Sequence, residues 1–284
     1  KTWKKKQKKK KKKKKKISKQ IGNGNLLAQL TKNKVVYDFR KNDLENGGQG
    51  APLTPIFHNL ISKKIFHIQE NKNQIIIFLN IGGISNLSII RPDKNFNLDE
   101  LEGYDIGPGN CLIDNWVRNN SKLQFDKNGE VASSSNINQI ILNQAIDNIE
   151  IDIKQSLDIS DFDISFARGL SFEEGCATIS ELTGYLISKG IEKSIKSFHD
   201  KQVVCVVCGG GRKNNFLINS IKKNIQLSQD IIIKIIDEFN MDGDFIESQA
   251  FGYLAIRSYL NLPISFPKTT RCKKPVSGGI VVES

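Results

Sequence analysis

The apolar positions of this chain fall into short runs of strand length, each followed by a glycine turn or by a stretch of helical period. Ile75 to Asn80 is nearly all apolar and β-branched, the pattern of a strand covered on both faces, and it stops at Gly82-Gly83. Ser85 to Ile90 alternates as its partner. Val203 to Val207 repeats the buried-strand pattern and leads through Cys208-Gly209-Gly210-Gly211 into a helix over Asn215 to Ile225, with another strand over Ile231 to Ile236. Val35 to Tyr37 predicts a short strand ending at Asp38.

Helical period appears after Gly22-Asn23-Gly24-Asn25, over Pro55 to Ser62, over Cys176 to Ser188 with Ile179, Leu182, Thr183 and Leu186 on one face, and over Glu247 to Leu260. Gly107-Pro108-Gly109 reads as a tight turn opening the segment Cys111 to Arg118. Residues 119–165 are rich in Asn, Ser, Asp and Ile, with one helix-like stretch over Ile137 to Ile149, and suggest a lid insertion. Pro263 to Gly279 trails off as a basic loop. Strands alternating with helices place the fold in the α/β class, and no internal repeat emerges.

Charge changes the picture only at one end. The chain of 284 residues carries a net +12, of which +13 comes from the lysines of residues 1–16, so the rest carries −1. The basicity therefore belongs to a tail expected to be disordered, and not to a folded nucleic-acid-binding face. The tail has no apolar core and no cleavage site of a secretory signal, and no run reaches the roughly 18 apolar residues of a membrane helix. The chain begins at Lys1 and its only methionine is Met241, which raises the expectation of a missing or garbled start. Five scattered cysteines fit reduced thiols in a cytoplasm, and the Cys205-Val-Val-Cys208 spacing lies inside an apolar strand pattern, where redox and zinc pairs do not sit. His58, His67 and His199 do not cluster at metal spacing and read as solvated or core residues.

Three strand-to-glycine turns recur: Asn80-Ile-Gly82-Gly83, Asp105-Ile-Gly107-Pro108-Gly109-Asn110 and Cys208-Gly209-Gly210-Gly211-Arg212. Each offers backbone N–H groups without side-chain bulk, which suits phosphate oxygens. None is a dinucleotide fingerprint or a P-loop.

These blocks, with Asp38-Phe-Arg40, Gly47-Gly-Gln-Gly-Ala-Pro52, Asn80-Ile-Gly-Gly-Ile-Ser-Asn86, Tyr104-Asp-Ile-Gly-Pro-Gly-Asn110, Val207-Cys-Gly-Gly-Gly-Arg212 and Glu247-Ser-Gln-Ala-Phe251, resemble the anhydro-N-acetylmuramic acid kinase family in order and spacing over roughly residues 17–280. The resemblance implies a ribonuclease-H-like, actin-like ATPase fold of two domains around a cleft, the first incomplete here. It sets residues 17–58 in that first domain, 59–262 in the second, with the lid near 119–165, and 263–284 in a segment returning to the first.

The resemblance further implies an enzyme that opens the 1,6-anhydro bridge of the amino sugar with water and phosphorylates O6 from ATP with Mg²⁺, working as a cytoplasmic homodimer. It makes Asp105 the base that activates water. Asn80, Gly82 and Gly83 fall to phosphate binding, Gly107 to ATP binding, Gly209, Gly210, Gly211 and Arg212 to the adenosine side, and Asp38, Arg40, Asp43, Gln49 and Glu247 to the sugar side, with no protein metal ligand. A lone Asp before glycines more often caps a turn, and Arg40 with Asp43 could form a surface ion pair of little energy.

Two family blocks are absent, Gly-Thr-Ser-x-Asp-Gly-x-Asp and Gly-x-His-Gly-Gln-Thr, and Lys154-Gln-Ser-Leu-Asp158 departs from the family's Pro-Lys-Ser. Positioning supplies most of phosphoryl-transfer catalysis, so this chain is expected to be impaired by itself. The alternatives are an inactive remnant that only binds ligand, a kinase of the same fold acting on a different sugar, and a nucleic-acid binder acting through the lysine tail, which the near-neutral body disfavours.

Overall fold

The computed structural model describes residues 20–69, 74–91, 98–149, 157–198, 200–226 and 231–283. The lysine block of residues 1–16, residues 154–156 of the lid segment, His199 and the side chain of His67 lie outside the described residues.

In chain order the elements are α1 (Gly24–Thr31), β1 (Val35–Tyr37), α2 (Lys41–Glu45), α3 (Pro55–Gln69), β2 (Gln74–Ile81), β3 (Ile84–Ile90), β4 (Glu102–Pro108) and α4 (Asn110–Asn120). There follow α5 (Glu130–Ser133), α6 (Gln139–Asn148), α7 (Phe172–Ile195), β5 (Gln202–Cys208), α8 (Asn215–Asn224), β6 (Ile231–Ile235), α9 (Ile246–Tyr259), α10 (Pro267–Thr270) and β7 (Ile280–Val282).

Five strands form one sheet in the order β4-β3-β2-β5-β6. β3 runs antiparallel to β2 and to β4, whereas β5 is parallel to both β2 and β6. In chain order the strands stand third, second, first, fourth and fifth with the second reversed, which is the ribonuclease-H-like sheet of the actin-like ATPase fold.

The sheet is covered on both sides, as the unbroken apolar runs of β2 and β5 require. Ile75, Ile77, Leu79, Val203, Cys205 and Val207 face a core shared with α4, α7 and α8. Ile76, Phe78, Val204 and Val206 face a second core shared with α3 and α9. Burying an Ile or Phe side chain contributes about 1.5–3 kcal/mol, and Ile75 through Leu79 are all fully buried, so β2 is the anchor of the sheet.

Helix α7 differs from the one-faced helix expected over Cys176 to Ser188. It runs 24 residues from a Ser171 cap that accepts from Glu174 N, and is buried on nearly every side. The reason lies in its neighbours: α4, α5 and α8 share the larger core with it, while Leu142 and Ala145 of α6 close over Leu182 and Leu186. Residues 130–148 of the stretch read as a lid insertion are thus packed against α7, Ala132 being part of the larger core.

The C-terminal segment corrects a second expectation. Residues 263–279 do not trail off: Ile264 and Phe266 enter the second core, and Ser265 bridges to Val276. Beyond them β7 pairs antiparallel with β1, Val36 opposite Val281, giving a two-stranded sheet beside the first.

Candidate active site

Three glycine loops meet at one end of the large sheet. β2 turns back into β3 through Gly82-Gly83, β4 passes into α4 through Gly109, and β5 passes into α8 through Gly209 to Lys213. The first two loops are locked together by backbone hydrogen bonds: Gly109 N donates to Gly83 O at 2.9 Å, Asn110 N to Gly82 O at 2.7 Å and Cys111 N to Gly83 O at 3.2 Å. The approach leaves no room for a side chain at Gly109, where a Cβ would collide with Gly82 O. The third loop closes just as tightly, since Gly209 has φ +80° and a Cβ there would lie 2.5 Å from Asn80 Oδ1. Asn110 Nδ2 reaches Ile81 O at 3.4 Å, between the loops.

This arrangement corrects one expectation. Gly107 lies in β4, buried and paired with Ser85, and the amides after Pro108 are taken by Gly82 and Gly83. The Gly107-Pro108-Gly109 block therefore clamps two loops together and does not hold out its amides to a phosphate. Gly82 is half-buried, whereas Gly83 and Gly210 are exposed.

A row of polar side chains crosses the sheet at the same end. Asp105 of β4 is paired with Asn86 of β3, Asn86 with Asn80 of β2, and Asn80 with Cys208 of β5. Paired residues share a face, and this is the face of the second core. The register shifts by one residue beside Asn86, a bulge of the kind that re-aims side chains next to functional sites. Asp105 is 7% exposed, and its Oδ2 accepts from Leu157 N at 2.9 Å. The Asp is thus a buried strand residue and not a turn cap.

At the far end of the row, burial pushes the Cys208 thiol up to about 12; nearby Arg212 opposes the shift and Glu247 adds to it. Cys205 is also pushed up by burial. Both are free, so the CxxC spacing is that of two inert strand thiols.

Next to the glycine loops lies a cavity of about 500 Å³, bounded by α4, residues 124–128 and the Gly210 to Asn214 loop. Phe125 and Ile113 give it apolar wall; Asn110, Asp114, Lys127 and Lys213 give it polar rim. Burial raises the Asp114 carboxyl above the ordinary range, with Arg118 acting the other way.

Arg212 is not free to meet a ligand. Its Nε donates to Asp237 Oδ2 at 2.7 Å, one terminal nitrogen to Asp244 Oδ1 at 2.9 Å and the other to Gly209 O at 3.2 Å. It braces the third loop against the turn before α9 and does not reach outward. Asp43 is likewise consumed: fully buried, it accepts from Gly50 N at 2.6 Å and from Thr270 Oγ1 at 2.5 Å. It pins the Gly47 to Pro52 loop and makes neither a surface ion pair with Arg40 nor a contact open to substrate.

The remaining sugar-side candidates occupy two places. Asp38 (φ +56°) is half-buried, Arg40 is exposed and Gln49 is half-buried with its N–H on Thr270 O at 2.7 Å. The loop they border lies on β4, Pro52 and Pro55 reaching over Gly103, two residues before Asp105. Glu247 is exposed in the first turn of α9. His58 is a core residue, stacked on Phe78 with Nδ1 at 2.7 Å from Ser88 Oγ, and burial depresses its pKa to about 3. Among the described residues no group of three or more His, Cys, Asp or Glu is placed to hold a metal ion, and no helix is long and apolar enough to cross a membrane.

Sequence reasoning missed Asn86 as a member of the row, and Asn110 between the loops. Both stood in the quoted blocks, but strand pairing gives Asn86 its place and hydrogen bonds to Ile81 and Gly82 give Asn110 its own.

Residues 7–150 and 162–284 match the family described as anhydro-N-acetylmuramic acid kinase. The Pelagibacter ubique protein of that name is 50% identical over 272 residues, 94% of this chain and 70% of its own length. The Zymomonas mobilis protein of that name is 35% identical over 262 residues, 92% of this chain and 67% of its own. Among solved structures, a ROK family glucokinase from Streptomyces griseus in complex with glucose and AMPPNP overlays with a TM-score of 0.32 at 12% identity, covering 70% of this chain and 66% of its own, too loose a likeness to bear on the site. Matched over most of its length by the family and by relatives at this identity, the chain belongs to the anhydro-N-acetylmuramic acid kinases, a family of phosphotransferases.

Proposed function

We propose that the chain opens 1,6-anhydro-N-acetylmuramic acid with water and transfers the γ-phosphoryl group of ATP to O6, giving N-acetylmuramic acid 6-phosphate for the reuse of cell-wall sugars. The observation that carries the reading is the position of Asp105, a buried carboxylate on the same cross-sheet row as Asn80, whose strand runs directly into the Gly82-Gly83 loop.

Asp105 takes a proton from water, whose oxygen bonds to C1 as the C1–O6 bond breaks. O6 then bonds to the γ-phosphorus as the bond to the ADP oxygen breaks, so one base serves both changes. Asn80, Gly82 and Gly83 would face the transferring phosphates. Gly209 to Gly211, held by Arg212, would border the adenosine in the adjoining cavity, whose 500 Å³ is within the usual range for a small-molecule site. Asp38, Arg40 and Gln49 would lie on the sugar side, with Glu247 across from them. Mg²⁺ would be carried on the ATP phosphates with few protein ligands, its common mode in kinases, and would neutralise charge on the phosphoryl oxygens. Free, buried cysteines suit a reducing cytoplasm. The active species in this reading is a homodimer, checked by sedimentation at several concentrations.

The test is phosphoryl transfer from ATP to the anhydro sugar, run on this chain and on the chain extended by a segment carrying the two absent glycine blocks. Transfer by the extended form, with loss in its Asp105→Asn variant, is the expected result. An extended form inert on this sugar overturns the substrate, and an active Asp105→Asn overturns the base.

A further inference from the structure

We infer that Asn86 is a sugar-positioning residue, its side-chain oxygen taking a hydrogen bond from a hydroxyl or amide N–H of the sugar bound beside Asp105. The inference rests on the reading above. Asn86 Oδ1 is buried and meets no hydrogen-bond donor, a state that buried polar atoms rarely keep unless a ligand or water completes it. Its place gives the vacancy meaning. One row further into the sheet, Gly103, Ser88, Phe78 and Val206 are all sealed in the core. At the next row the sheet nears the surface, with Asn86 and Asn80 half-buried, the Asn86 oxygen itself covered, and Asp105 directly across from Asn86. Ser85, whose oxygen also lacks a donor, is paired with Ile81 on the opposite face and has no such outlook.

An acceptor beside the base selects for donors. The phosphate oxygens of ATP have none to give at neutral pH, whereas the sugar carries hydroxyls and an acetamido N–H. Asn86 therefore acts on sugar affinity and not on nucleotide affinity.

The experiment is calorimetric titration of this chain with 1,6-anhydro-N-acetylmuramic acid and, separately, with AMPPNP, for wild type and Asn86→Ala, with thermal melting alongside. Asn86→Leu, close in size and lacking the oxygen, carries the same test should the alanine variant not fold. The expected result is a sugar Kd raised about ten-fold, the worth of one such bond, with nucleotide Kd and melting unchanged. Unchanged sugar binding in the variants overturns the inference alone. Sugar and nucleotide affinity falling together with the melting temperature also overturns it, because the residue is then structural. A wild type that binds nucleotide but no sugar overturns both the inference and the substrate reading.

Discussion

Thr270 donates its hydroxyl to the buried carboxylate of Asp43 at 2.5 Å, joining positions 227 apart in the sequence. With Gly50 N on the other oxygen, the pair fixes the loop that lies on β4. Thr270→Val leaves a buried acceptor short of a donor, and the expected cost is about 1–3 kcal/mol. In thermal denaturation that is a fall of about 2–4 °C per kcal/mol. Asp43→Ala, which strands two donors, is expected to fall further.

The Arg212 brace carries a pH signature. Hydrogen bonding to Arg212 lowers the Asp237 carboxyl below its ordinary range, and Lys213 and then Arg212 lower that of Asp244. A depressed folded value stabilises the protein above the unfolded carboxylate range, near pH 4, and the contribution is lost as pH falls through the folded value. Melting curves of wild type and Arg212→Met from pH 7 to pH 3 are expected to differ most at neutrality and to converge in acid. A gap constant with pH would contradict the brace.

Adjacent glycines are expected to respond differently. Gly209→Ala forces an L-residue to φ +80° and a Cβ against Asn80, costing at least about 1–3 kcal/mol. At Gly210 the nearest atom to a new Cβ is Asn110 Nδ2 at 3.9 Å, so Gly210→Ala keeps its melting temperature. Facing the cavity, it is expected to weaken nucleotide binding, which titration with AMPPNP measures.

His58 supplies a second pH dependence at higher pH. Burial holds its pKa at about 3, whereas the unfolded side chain titrates near 6.5. The unfolded chain gains a proton that the folded one refuses, so stability drops as pH falls from about 6.5 toward 3. In His58→Gln, which cannot titrate, melting temperature is expected to decline less steeply between pH 6.5 and pH 4, whatever its starting value.

What was legible in the sequence followed from burial pattern. β2 and β5 announce themselves because both faces are covered, so that every position from Ile75 to Leu79 must be apolar. The C-terminal segment hid because Ile264, Phe266 and Val276 stand apart among Lys268, Lys273 and Lys274, with no period to reveal them. Gly107 and Pro108 carry turn chemistry but were drawn into β4 by pairing with Ser85 and Ile84. Asp43 can be read as a surface partner of Arg40, and Arg212 enters through the resemblance alone; the groups that engage them lie 227, 25 and 32 positions away, beyond any local pattern. The Asp105 to Cys208 row depends on register across four strands, which no single stretch of sequence contains.

The pairing of β1 with β7 sets a timetable. Val35 to Tyr37 are made well before their strand partner among the described residues, Ile280 to Val282. The large sheet can close while the ribosome is still at work, since β6 ends at Ile235. The small sheet must wait until Ile280 to Val282 have been made, and until then β1 lacks this partner and presents a strand edge to be shielded.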